Sequence, residues 1–149
     1  MNSIWTGTTK LQKRNPLQGD RSAETVIIGA GLAGVLTGYM LKQKGMDAVI
    51  LEANRIGSGQ TGRTTAKITS QHGLIYQNLI QTYGKEKARH YAGFQGWAIG
   101  EYERIIHKCK ISCDFVRCNA NLYSCEGAEV LKREAEAAIK LGIQTVYRE

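Results

Sequence analysis

The sequence predicts an α/β fold: one strand–helix–strand unit near the start of the chain, additional helices after it, and a parallel sheet that stays incomplete. Three observations predict it. The stretch 25–52, TVIIGAGLAGVLTGYMLKQKGMDAVILE, runs from a short apolar segment through a Gly-x-Gly-x-x-Gly turn and a helical pattern to a second apolar segment. Neither apolar segment alternates with polar residues, as expected of parallel strands covered on both faces. A length of 149 residues suffices for one core but is short of a two-domain body.

Residues 1–23 carry no hydrophobic period and contain Pro16, Gly19 and Asp20, so they read as an extended arm ahead of residues 24–149. Ile4, Trp5 and Leu17 are its candidate anchors, and a docked arm and a mobile tail are equally open. Val26, Ile27 and Ile28 form the first strand, expected at the centre of the sheet. A helix follows over 32–44, with Leu32, Val35, Leu36, Tyr39 and Met40 at helical spacing and Gly45 as its stop. Gly38 inside it costs about 1 kcal/mol relative to Ala, which makes sense where helix and strand lie close. Ala48–Leu51 is the second strand, and Glu52 stands at its tip.

Residues 55–65, RIGSGQTGRTT, form a polar, glycine-rich loop. After a turn at His72 and Gly73 come a helix over 74–83 and a longer one over 85–108. Ala88, Tyr91, Ala92, Gln95, Ala98, Ile99, Tyr102, Ile105 and Ile106 fall on one stripe of the second. Gly93, Gly96 and Gly100 predict a bend or close packing in its middle. Segments 114–116 and 120–124 read as two strands about a turn at Asn119. A helix over 128–141 has Glu126 and Glu129 near its positive end, Lys140 in its last turn and Gly142 as its stop. Residues 144–147 begin a further strand.

The formal charge of +7 is spread over the arm, loops and helix faces, which argues for solvated surface and against nucleic acid as a partner. Cys109, Cys113, Cys118 and Cys125 lie close in sequence but in no Cys-x-x-Cys pair, so no metal site is expected and reduced thiols are. No apolar run is long enough to span a membrane, and the polar, basic first twenty residues do not form a signal peptide. The expected location is cytoplasmic. His72 is the histidine placed to approach a ligand, although a loop histidine is more often structural. His90 and His107 read as surface residues, and Trp97, off the main stripe, as a packing residue.

The glycine turn answers a chemical need. Gly29 permits the tight exit from the strand, Gly31 lets backbone approach a pyrophosphate, and Gly34 lets helix and strand pack closely. The helix N-terminus then offers N–H groups and partial positive charge to phosphates. Glu52 follows the third glycine at about the 20-residue distance where a carboxylate accepts hydrogen bonds from ribose hydroxyls. An acid there repels a 2′-phosphate and so disfavours NADP. The unit is thus Rossmann-like. Backbone N–H groups, hydroxyls and a guanidinium in 57–63 can form a second anion cradle, which favours FAD over NAD.

The runs VIIGAGLAG and ILEANRIGSGQTGRTTAK resemble the FAD-dependent oxidoreductases of the D-amino-acid oxidase and glycine oxidase (DAO) superfamily. They are similar in particular to the N-terminal part of the bacterial branch whose flavoprotein body precedes a Rieske iron-sulfur domain. SIWT, TTAKITSQHGLIY and CDFVR…LYS extend the similarity over most of the chain. The resemblance implies that Gly29, Ala30, Gly31, Ala33 and Gly34 hold the pyrophosphate, and Glu52 with Ala53 the adenosine ribose. It places Ser58, Gly59, Thr61 and Gly62 at the phosphate and ribityl region, and Thr65 to Lys67 near the flavin ring. No catalytic residue is assigned. Some relatives attach FAD through a loop histidine; Arg63 stands at the matching position, which implies noncovalent FAD.

The same resemblance implies that later segments complete the sheet and supply the substrate wall. The Cys-x-His and Cys-x-x-His ligand runs of a Rieske centre do not occur in this sequence. Three readings stay open. Residues 24–149 are the truncated N-terminal portion of an FAD-dependent oxidoreductase acting on amines or amino acids, inactive alone. Alternatively the chain is a noncatalytic nucleotide-binding module or split subunit that needs a complementing chain. The third reading, an NAD-binding protein, leaves the second glycine loop without a task, and the first is preferred.

Overall fold

Parallel hydrogen bonding joins β1 (Thr25–Ile28) to β2 (Ala48–Leu51), with Thr25 opposite Ala48 and Ile28 opposite Leu51. The structure, a computed structural model, describes residues 3–148; Met1 and Asn2 of the arm and Glu149 of the predicted domain lie outside the described residues. Between the strands runs α2 (Leu32–Gln43), which ends at Gly45 with φ 76°. Side chains of a strand alternate faces, and Ile27 and Ile50 share the face under α2. A Cβ built on Gly38 would stand 2.7 Å from Ile50 Cδ1 and 3.5 Å from Ile27 Cδ1, so the glycine inside the helix is what lets it lie on the sheet. The cost in helix propensity is exchanged for close packing.

The sheet has two strands among the described residues, so β1 is not the centre of a wider sheet within them. Its second face is also bare, with Val26 53% and Ile28 90% exposed. The unbroken apolar character of β1 therefore exceeds what this chain covers. Three predicted strands, over 114–116, 120–124 and 144–147, are absent as well. A strand needs a hydrogen-bonding neighbour, and positive φ at Lys110 (51°) and Asp114 (49°) turns the chain out of the extended course that pairing requires. Val116, Tyr123 and Val146 are accordingly exposed.

The described residues fall into two compact units divided between Lys67 and Ile68. The first contains an element not predicted, α1 (Ile4–Thr8), capped by Ser3 Oγ accepting from the Thr6 amide. The second is built on α3 (Tyr76–Lys108) and α4 (Ala128–Lys140). Its core joins Tyr76, Ala88, Ala92, Ala137, Ala138 and Leu141, with Leu79 and Ile80 packed against them. Glu134, 4% exposed on α4, accepts hydrogen bonds from the amides of Tyr76 (2.7 Å) and Gln77 (2.9 Å). A side chain from one helix thus caps the start of another.

α3 is broken at Gly84, where φ 81° and ψ 160° lie in a region that only glycine enters freely. The break coincides with the predicted division between helices over 74–83 and 85–108. Gly93, Gly96 and Gly100 keep helical backbone angles and do not mark close packing: among the described residues nothing outside their own helix backbone lies within 4 Å of a Cβ built on any of them. Gly84→Ala is expected to cost about 1–3 kcal/mol, because the side chain has no relaxed conformation there. Thermal unfolding of the variant checks this, and a melt indistinguishable from wild type would contradict it.

Candidate functional site

The site grows from the turn between β1 and α2. Gly29, at φ 97°, leaves the strand while its amide still donates to the Leu51 carbonyl at 2.7 Å. A Cβ on Gly34 would stand 1.9 Å from the Gly29 carbonyl oxygen, so the first turn of α2 sits directly on the strand exit. The first intrahelical bond runs from the Val35 amide to the Gly31 carbonyl. The amides of Leu32, Ala33 and Gly34 precede it, and the Leu32 amide donates to Thr61 Oγ1 at 2.9 Å. With no acidic residue in this turn, the positive end of the helix opens onto the space in front of it.

Glu52 closes the other side. Its Oε2 accepts from the Ala30 amide at 2.8 Å and its Oε1 from the Asn54 amide at 2.9 Å. These two donors, Ala30 first, hold its carboxyl below the usual carboxylate range. The second glycine loop folds over the same space. Its Gly57 amide donates to the Ala30 carbonyl at 2.9 Å, and a 3-10 turn over Gln60–Arg63 brings Thr61 to the start of α2. Gly62 is buried within this turn, where an added Cβ would stand 2.7 Å from the Gly57 carbonyl oxygen.

A cleft of about 440 Å³ results, within the size range of small-molecule sites. Gly29, Gly31, Ala33, Gly34, Glu52, Ser58, Gly59 and Thr61 line it. The other four predicted site residues do not. Ala30 is buried and acts through its backbone, Gly62 is buried within the 3-10 turn, and Ala53 and Thr65 are exposed outside the cleft. Ile28, Leu32, Asn54, Gly57 and Gln60 line the cleft without being among the predicted site residues. For Ile28 and Leu32 the available signal was adjacency to the glycine turn; Asn54 carries none. Arg63 and His72 are exposed and line no part of it.

The four cysteines are exposed and outside any disulfide, and no cluster of His, Cys, Asp and Glu suited to a metal ion occurs among the described residues. No helix among them is long and apolar enough to cross a membrane. The cleft does fit the adenosine diphosphate half of a dinucleotide. Gly29, Gly31, Gly34 and Gly59 line it with bare backbone, the first turn of α2 with its amides borders it, and a carboxylate stands at the sheet tip.

The lowered pKa of Glu52 has a definite sign. An unfolded chain takes up the Glu52 proton near 4.5 and the folded chain only below that, so its contribution is complete above 4.5 and is lost as pH falls through the lower folded value. Wild-type stability should therefore fall more steeply than that of Glu52→Gln as pH drops below about 4.5. Urea unfolding of both proteins across that window checks it; parallel pH profiles would contradict it.

Comparison with known proteins follows the same line. The DAO family profile, described as FAD dependent oxidoreductase, matches residues 24–148. A Bacillus subtilis (strain 168) protein named for a Rieske 2Fe-2S iron-sulfur protein, YhfW, is 37% identical over 144 residues, covering 95% of this chain and 28% of its own. The gamma-glutamylputrescine oxidoreductase of Escherichia coli (strain K12) is 28% identical over 63% of this chain and 22% of its own. A Haemophilus influenzae protein named as the oxidoreductase OrdL is 26% identical over 88% of this chain and 31% of its own. No solved structure matches. The chain thus spans less than a third of the length of these relatives, and over that span it belongs to the DAO family of FAD-dependent oxidoreductases.

Proposed function

We propose that residues 24–149 are the N-terminal, cofactor-gripping portion of an FAD-dependent oxidoreductase acting on amines or amino acids, with FAD held noncovalently and the protein cytoplasmic. The observation that carries the reading is the convergence on one cleft of the α2 amides, the Glu52 carboxylate and the second glycine loop. Ala33 and Gly34 offer backbone N–H groups to the pyrophosphate, helped by the positive helix end. Glu52, oriented by Ala30 and Asn54, keeps lone pairs for the ribose hydroxyls. Ser58 and Thr61 offer hydroxyls to the second phosphate, and Arg63 in place of a histidine supports noncovalent attachment. Bound FAD supplies the hydride acceptor for substrate oxidation. The amine class is supported by the similarity to the gamma-glutamylputrescine oxidoreductase.

A complementing polypeptide is the second reading, favoured by the bare face of β1, where Val26 and Ile28 are exposed. Either way the isolated chain should bind cofactor without turning over substrate.

Titration of purified protein with FAD and NAD, followed by flavin fluorescence and calorimetry, tests the assignment. FAD is expected to bind and NAD not; uptake of NAD alone would sink the flavin reading. Glu52→Gln keeps one acceptor and turns an amide N–H₂ toward one of the two backbone donors, and should weaken FAD binding about tenfold. Unchanged affinity would remove Glu52 from the ribose.

A further inference from the structure

The short helix α1 lies against the loop that closes the cleft, and the proposed function makes no use of it. The Trp5 indole N–H donates to the Thr64 carbonyl at 2.7 Å across 59 positions of sequence. The Thr6 methyl stands 3.6 Å from where a Gly62 Cβ would be. On its opposite side the same loop is tied to the glycine turn by the bonds from Gly57 to Ala30 and from Leu32 to Thr61. It is therefore held from two directions, one facing the cleft and one facing away.

The loop needs such support. Gly57, Gly59 and Gly62 give it high conformational entropy when free, and its regular structure is a single 3-10 turn. Its cleft-facing bonds, through Gly57 and Thr61, involve the segment that meets a ligand. The bond from Trp5 reaches the opposite end, at the residue where the 3-10 turn stops. Of the two large apolar side chains of α1, Trp5 is the less exposed, at 37% against 66% for Ile4, and its indole N–H is what bonds α1 to the loop.

We propose that α1 is a strap that orders residues 57–64, and that Trp5 is a positioning residue holding Thr61 and the loop amides toward the FAD phosphates. The binding consequence rests on the FAD reading of the cleft; the ordering of the loop does not.

The test uses the full 149-residue chain as wild type, Trp5→Ala and Trp5→Phe. Amide hydrogen exchange without cofactor should quicken about tenfold over 57–64 in Trp5→Ala, while amides of α3 and α4 keep their protection. FAD affinity should fall by about the same factor. Trp5→Phe keeps a ring and loses the donor, so it should lie between the two, and it decides the matter if the alanine variant does not fold. Unchanged exchange over 57–64 overturns the strap. Faster exchange with wild-type FAD affinity overturns the positioning role. A wild-type protein that takes up no FAD refutes the cofactor reading, and the exchange comparison then still decides the strap.

Discussion

Gly34→Ala is expected to abolish cofactor uptake and to destabilise the unit built on β1 and β2 by about 3 kcal/mol or more. The added Cβ would stand 1.9 Å from the Gly29 carbonyl oxygen and 3.1 Å from its carbon. Both are backbone atoms, so no rotamer change relieves the contact; α2 must withdraw from the strand exit or the Gly29 turn must open. Either movement takes the amides of Ala33 and Gly34 away from the Glu52 side of the cleft. The position also shows why this glycine differs from one chosen for flexibility, because it is helical and Ala would be favoured there on propensity alone. Gly93→Ala makes the matching control. Nothing lies within 4 Å of its Cβ, and it should stabilise α3 by about 0.5–1 kcal/mol. Thermal melts and FAD titrations read both variants. A Gly34→Ala protein that melts and binds like wild type would remove close packing as the reason for the glycine.

Glu134→Ala should cost the second unit about 3 kcal/mol. The side chain is 4% exposed and receives the first two amides of α3. Truncation leaves both donors facing a cavity next to Tyr76, which is wholly buried and anchors the core cluster. Glu134→Gln keeps the shape and one acceptor, and its loss should be smaller. Urea unfolding with hydrogen exchange at the Tyr76 and Gln77 amides separates capping from packing. Stability of Glu134→Ala within about 0.5 kcal/mol of wild type would show that water or a shifted neighbour replaces the cap.

Much of the cleft was legible in the chain because its parts are short-range. A glycine at the strand exit, another at the helix–strand contact and an acid at the end of β2 occupy spacings that one strand–helix–strand unit imposes. The break at Gly84 and the helix stop at Gly142 were legible for the same reason, since each depends on a local dihedral angle that glycine alone adopts without strain. The misplaced strands show the converse. Segments 114–116, 120–124 and 144–147 have strand-forming composition, but no strand partner meets them among the described residues, and composition alone does not supply one.

The site residues divide along the same line. Gly31, Gly34 and Glu52 follow from the motif, whereas Ala30 and Gly62 belong to the site through backbone and burial and show no side chain to the cleft. Asn54 enters through one amide on Glu52. No residue type at that position announces such a contact, because every residue except proline carries the donor.

By itself, then, the sequence determined the strand–helix–strand unit, the helices α3 and α4 with the break at Gly84, and the DAO family, all of which rest on local periodicity and on motifs of fixed spacing, whereas α1 was not legible in it. The tertiary structure alone decided that Glu52 is held by the Ala30 and Asn54 amides, that Glu134 caps a helix 58 positions away, and that Trp5 reaches Thr64. Those contacts join residues whose separation no secondary-structure period sets, so only the folded chain brings donor and acceptor within bonding distance.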